Sequence, residues 1–136
     1  MRRVALRERD DGAAVVEFVM MSGLLIFLLF AVLQVAAYFY ARNIVAASAA
    51  AAARYAADAG VDPTSGGPLA RQLIADGLNT ANAASVPCTS GAGTDPASGL
   101  ATVTVRCRGE FALLFVPLHV PLGIDVSASV LREGAS

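Results

Sequence analysis

At 136 residues, the chain has room for one modest domain and an appendage. Its formal net charge is −1, which offers a nucleic acid no basic surface to bind. The composition is 56% hydrophobic with a mean hydropathy of +0.60, high for a soluble protein, and the excess is concentrated in one run.

Residues 1–12 form a short charged leader. From Phe18 to Ala41 there are 24 residues without a charge, interrupted in polarity only by Ser22, Gly23 and Gln34. As a helix this run is about 36 Å long, enough to cross a hydrocarbon core of about 30 Å with some tilt. It is read as a membrane-spanning helix in contact with lipid. All ten basic residues are arginine. Arg2, Arg3, Arg7 and Arg9 precede the span, and only Arg42 and Arg54 follow it closely. That bias predicts a single-pass protein with a cytoplasmic N-terminus and an extracytoplasmic body.

The stretch "ARNIVAASAAAAARYAADAG" continues the helix, because alanine is the best helix former. Ile44, Ser48, Ala51 and Tyr55 mark one face at helical spacing, and Gly60 and Pro63 are stop signals. One helix over residues 13–59 is expected, lipid-compatible in its first half (span 18–41) and projecting into water in its second.

Residues 60–136 read as a small α+β head. "VDPTSGGP" is a loop. "PLARQLIADGLNTANAA" predicts a short amphipathic helix with Pro68 at its first position. "LATVTVRC" alternates, with Val103, Val105 and Cys107 on one side and Thr102, Thr104 and Arg106 on the other. "IDVSASVL" does the same through Ile124, Val126, Ala128 and Val130. "SVPCT" is a candidate partner strand, and Gly91 and Gly93 fall in a stretch read as a flexible turn. "FALLFVPLHVPLG" is apolar, but its prolines restrict it to an edge strand or a buried loop. An antiparallel sheet of 3–4 strands results. Cys88 and Cys107 lie in the exported part, where a disulfide persists; two free thiols are the alternative. A bond between them would close or pin the hairpin and support a head too small to have a thick core.

Glu17 is the one charged residue between Gly12 and Ala41. Three readings address it. A cleaved secretory signal has an apolar core of about 7–15 residues, shorter than this run, although "VAASA" suits a signal peptidase by composition. An uncleaved signal anchor leaves Glu17 at the interface without a task. In the third reading, a peptidase cuts between Gly12 and Ala13. Glu17 becomes the fifth residue, one helical turn from the new amine on the same face. A carboxylate drawn into an apolar bundle costs several kcal/mol unless paired, and the amine of Ala13, its own or a neighbour's, neutralises it. Such a charge pair favours one register between packed helices.

Gly12, four small or apolar residues, Glu17-Phe18 and a long apolar run behind an arginine-bearing leader resemble the cleavage junction of type IV pilin precursors. More closely, "GAAVVEF", the span, "YFYARNIVAASAAAAARYAA" and the ending "IDVSASVLRE", with its Arg132-Glu133 pair, resemble the TadE-like minor pilins (pseudopilins) of tight-adherence pili. The resemblance is strongest over residues 12–57. It implies processing at Gly12–Ala13 by a prepilin peptidase and an assembly role for Glu17 and Phe18. The implied partners are a major pilin, other minor pilins and the inner-membrane assembly platform, at the bacterial cytoplasmic membrane. Major pilins of such systems are much shorter, so the disulfide-bearing head implies a minor, tip or initiating subunit.

No GxSxG, Walker loop, HExxH or EF-hand pattern occurs, and His119 stands alone. Asp58, Asp62, Asp76, Asp95 and Asp125 are scattered and read as solvated surface; Arg106 and Arg108 read as an exposed strand face. A structural protein without a cofactor, and not an enzyme, is expected. The runner-up is an uncleaved single-pass anchor presenting a binding or scaffold domain.

Overall fold

In the computed structural model, residues 7–111 and 122–134 are described, with side chains from residue 12 onward. Helix α1 runs Arg7–Ala57. A 3-10 turn at Pro63–Ser65 leads into α2 (Gly66–Gly77) and the single turn α3 (Thr80–Ala84). Strands β1 (Cys88–Thr94), β2 (Ala101–Phe111) and β3 (Leu122–Leu131) form one antiparallel sheet in the order β1-β2-β3. The chain divides into two units, Met1–Ala36 and Ala37–Ser136.

In the first unit, the large apolar side chains of α1 face outward all round, from Val15 and Phe18 through Leu29 to Val35. A helix apolar on every side needs an apolar solvent or partners on every side. By length and composition α1 suits a membrane crossing.

The second unit is built on the last part of α1. Val45, Ala49, Ala52 and Ala53 are fully buried there, against Ile74, Val86, Val105, Cys107 and Ile124, and Ala56 is fully buried against Val103. The buried stripe only partly coincides with the face expected from Ile44, Ser48, Ala51 and Tyr55: Ser48 is buried and Ile44 half-buried, but Ala51 and Tyr55 are exposed. Alanines win this face because they let the sheet and α2 close in on the helix backbone. The helix stops at Ala57. Gly60 takes the left-handed conformation just beyond it (φ 83°), and the Glu133 N–H donates to the Ala57 carbonyl at 3.1 Å.

Helix α2 starts two residues before the expected Pro68. Gly66 and Gly67 open it and are buried against the sheet. A Cβ on Gly67 would lie 2.9 Å from the Cys88 carbonyl oxygen, and one on Gly66 would lie 2.9 Å from Val105 Cγ2. Residues that look like loop composition are thus the price of close helix–sheet packing. The expected amphipathic helix breaks at Leu78, where Asn79 caps α3 through its Oδ1, which accepts from the Asn82 N–H at 2.7 Å.

The sheet keeps the expected alternation through Val103, Val105, Cys107 and Ile124 inward and Arg106, Arg108 and Asp125 outward, but Thr102, expected on the polar side, is buried as well. Strand β1, however, begins at Cys88 and includes the stretch read as a turn. Gly91 pairs with Thr104 and Gly93 with Thr102, so these glycines sit in a ladder. The true turn is built on Asp95. Its carboxylate accepts from the Ala97 N–H (3.2 Å) and Ser98 Oγ (2.6 Å), its carbonyl accepts from the Gly99 N–H (2.8 Å), and Gly99 is left-handed (φ 71°). The hydrogen bonds to the carboxylate, from Ser98 first and then the Ala97 N–H, hold the Asp95 carboxyl below its ordinary value. Most of the "FALLFVPLHVPLG" expectation lies outside the described residues, as does His119.

Candidate functional site

The first candidate is the N-terminal motif. Gly12, Ala13, Glu17 and Phe18 all lie on α1, and all are exposed. No β-branched or glycine cluster interrupts the helix at Gly12, so α1 runs unbroken through the Gly12–Ala13 bond. Ala13, Val16, Glu17, Met20 and Leu24 share one exposed stripe at three- and four-residue spacing. Glu17 is therefore one turn from Ala13 on a face that is otherwise small or apolar. Phe18 points away from that stripe and is 73% exposed. Among the described residues, the ion pairs all involve Asp125, and none reaches Glu17.

What this stripe can do chemically follows from its single charge. A carboxylate at the edge of an uncharged run of 24 residues is tolerated near water or headgroups, and it demands a cation once packed among apolar helices.

The second candidate is the stapled hairpin. Cys88 and Cys107 face each other directly in the β1–β2 register, are joined by a disulfide, and have Cα atoms 4.1 Å apart. The Arg108 N–H donates to the Pro87 carbonyl at 3.1 Å, carrying the ladder one residue beyond β1. The bond closes the hairpin at its open end, far from the Asp95 turn.

On the outer face of the same sheet, Asp125 bridges two arginines. Arg108 Nη2 donates to Asp125 Oδ2 at 2.6 Å and Arg106 Nε to Oδ1 at 3.2 Å. Arg108, then Arg106, hold the Asp125 carboxyl below its ordinary value. Alternation could place these residues on the outer face, but only the register that sets Arg108 opposite Asp125 brings them together. Beside them, Thr104 and Ser129 hydroxyls share a hydrogen bond of 2.9 Å. Among the described residues, no group of three or more His, Cys, Asp and Glu side chains gathers where a metal could be held.

Residues 12–54 match the family of TadE-like proteins, a segment of about a third of the chain that contains Gly12, Ala13, Glu17 and Phe18. No curated protein and no solved structure matches the chain.

Proposed function

We propose that this chain is a minor pilin or pseudopilin, a structural subunit of a tight-adherence type IV pilus or of a related secretion apparatus. A prepilin peptidase removes residues 1–12, and the head from about residue 60, together with the outer part of α1, lies outside the cytoplasm. The released Ala13 amine and Glu17 then form the polar contact that sets the register of α1 against neighbouring pilin helices. Phe18, next to the acid in sequence but on a neighbouring face of α1, offers an exposed aromatic side chain for packing against a second pilin helix. The partners in this reading are the peptidase, a major pilin, other minor pilins and the inner-membrane assembly platform.

One observation carries the reading. Glu17 is the lone charge at the mouth of an outward-facing apolar helix, one turn from Ala13, inside the segment that matches the TadE-like family. The four arginines of the leader against two after the span support the orientation.

The test is a Glu17→Ala variant in the native host. Membrane fractionation should find it inserted as the parent is, while sheared filaments or the assembled apparatus should lack it. Incorporation at the parental level would remove the assembly role of Glu17. A second reading, an uncleaved anchor presenting the head, draws on the unbroken course of α1 from Arg7 through Gly12 and Ala13.

A further inference from the structure

We propose that the outer face of the sheet holds a binding site for a neutral saccharide unit, floored by the glycines of β1 and walled by Thr102, Thr104 and Ser129. The inference goes beyond the assembly role of α1 and is independent of removal of the leader.

Gly91 and Gly93 are the first observation. Glycine weakens a strand, because it has no side chain to pack and loses the most freedom on ordering. Neither residue takes a positive φ, so the backbone does not require glycine at either position. Packing within the chain does not require it either. A Cβ on Gly91 would meet nothing within 4 Å, and one on Gly93 would meet only Thr102 Oγ1, at an ordinary 3.6 Å. A strand glycine that neither conformation nor internal packing explains marks a place where something else comes close.

Thr102 is the second. In the sheet register it stands between Gly93 on β1 and Leu131 on β3. It is only 8% exposed, yet its hydroxyl makes no hydrogen bond among the described residues. The 3.6 Å from that hydroxyl to the Cβ position of Gly93 means that it faces the space the glycine leaves open. Among the described residues no unpartnered side-chain polar atom is sealed off, so the hydroxyl opens into that space. The space is a recess of about 410 Å³, within the range of about 300–1,000 Å³ of small-ligand sites. Gly93, Asp95, Thr102, Thr104, Ser129 and Leu131 border it. Gly91 pairs with Thr104 and continues the bare floor along the same face.

The groups around the recess select the ligand. Thr102, the Thr104 and Ser129 hydroxyls that share a 2.9 Å hydrogen bond, and the Asp95 carboxylate together offer both donors and acceptors. A ring polyol answers such a set with its own hydroxyls, and Leu131, 53% exposed at the rim, offers an apolar edge to the C–H bonds of the ring. The Asp95 carboxylate repels anions. Each of its oxygens already accepts a hydrogen bond, one from the Ala97 N–H and the other from Ser98 Oγ, which lessens any need for a cation. Arg106 and Arg108, the cations on this face of β2, are both paired with Asp125. An uncharged sugar fits what remains.

The test is saturation-transfer NMR on the full-length protein in an alkyl phosphocholine detergent, which has no sugar headgroup. The probes are the methyl glycosides of glucose, galactose, mannose and N-acetylglucosamine. At least one should receive saturation from the parent protein. Gly93→Val fills the recess with a residue that suits a strand, and Thr102→Val removes the hydroxyl without breaking a hydrogen bond of the fold. Each should lower the transfer by about three-fold or more, the share of one hydrogen bond, with a Tm at or above the parental one. Thr102→Ser, which keeps the hydroxyl, should keep the signal. If Gly93→Val melts below the parent, the Thr102→Val and Thr102→Ser pair decides. Transfer to none of the four glycosides would overturn the site, and so would transfer that Thr102→Val retains in full.

Discussion

Replacing Gly67 by alanine should destabilise the head, although alanine is the better helix former. In an exposed helix, glycine to alanine stabilises by about 0.4–1 kcal/mol, chiefly by restricting the unfolded chain. Here the added methyl lands 2.9 Å from the Cys88 carbonyl oxygen, 3.3 Å from Thr89 Cα and 3.4 Å from Ser90 N. All three are backbone atoms of β1, and the disulfide to Cys107 ties that end of the strand to β2. None of the three can swing aside, so α2 must retreat. Retreat lengthens the Gly67 N–H to Ser90 Oγ hydrogen bond, now 2.8 Å. Overpacking costs about 1–3 kcal/mol and a weakened hydrogen bond about 0.5–1.5 kcal/mol. After the gain from the unfolded state, the net loss is about 1–3 kcal/mol. For a unit of this size each kcal/mol shifts Tm by about 4–8 °C, so Tm should fall by roughly 5–20 °C. Gly91→Ala is the control, since its Cβ would meet nothing within 4 Å, and its Tm should hold or rise slightly. Thermal unfolding of the full chain in detergent, followed by circular dichroism, compares the two. Equal or higher stability of Gly67→Ala would refute the close-approach argument.

Reducing the Cys88–Cys107 bond, which spans 19 positions, should cost about 3 kcal/mol by the chain-entropy estimate. The same melting assay with and without a reductant should show Tm lower by roughly 12–25 °C, and a shift near zero would contradict a stabilising role. Asp125 has a folded-state pKa below its ordinary value of 3.8, so its contribution is present above that value and is lost as pH falls further. Asp125→Asn should therefore lose less Tm than the parent between pH 5 and pH 2, in melting curves recorded at each pH; an unchanged acid sensitivity would argue against the arginine pairing.

Much of the head was legible in its sequence because its elements follow period. The alternation through Val103, Val105 and Cys107, and through Ile124, Val126, Ala128 and Val130, places side chains whichever partners the strands find. The apolar run and the spacing of Gly12, Ala13 and Glu17 are likewise local facts. The misreadings share a cause, which is that tertiary contact reversed a local preference. Gly91 and Gly93 look like a turn, yet β2 supplies a ladder from residues about ten positions away. Gly66 and Gly67 look like a loop, yet the sheet needs a helix start without side chains. Ile44 and Tyr55 draw attention on α1, but the sheet packs on Val45, Ala49, Ala52 and Ala56, where there is little to obstruct it. The Arg106–Asp125–Arg108 cluster depends on strand register, which no pattern in either strand encodes.

The central claim concerns the peptide bond between Gly12 and Ala13. Intact-mass spectrometry of the protein isolated from assembled filaments or secretion complexes of its native host tests it most directly. Removal of residues 1–12, leaving Ala13 as the first residue, is the mass that the account predicts. A subunit in those assemblies that still carries the arginine-bearing leader would contradict it, because no free amine would then stand one turn from Glu17.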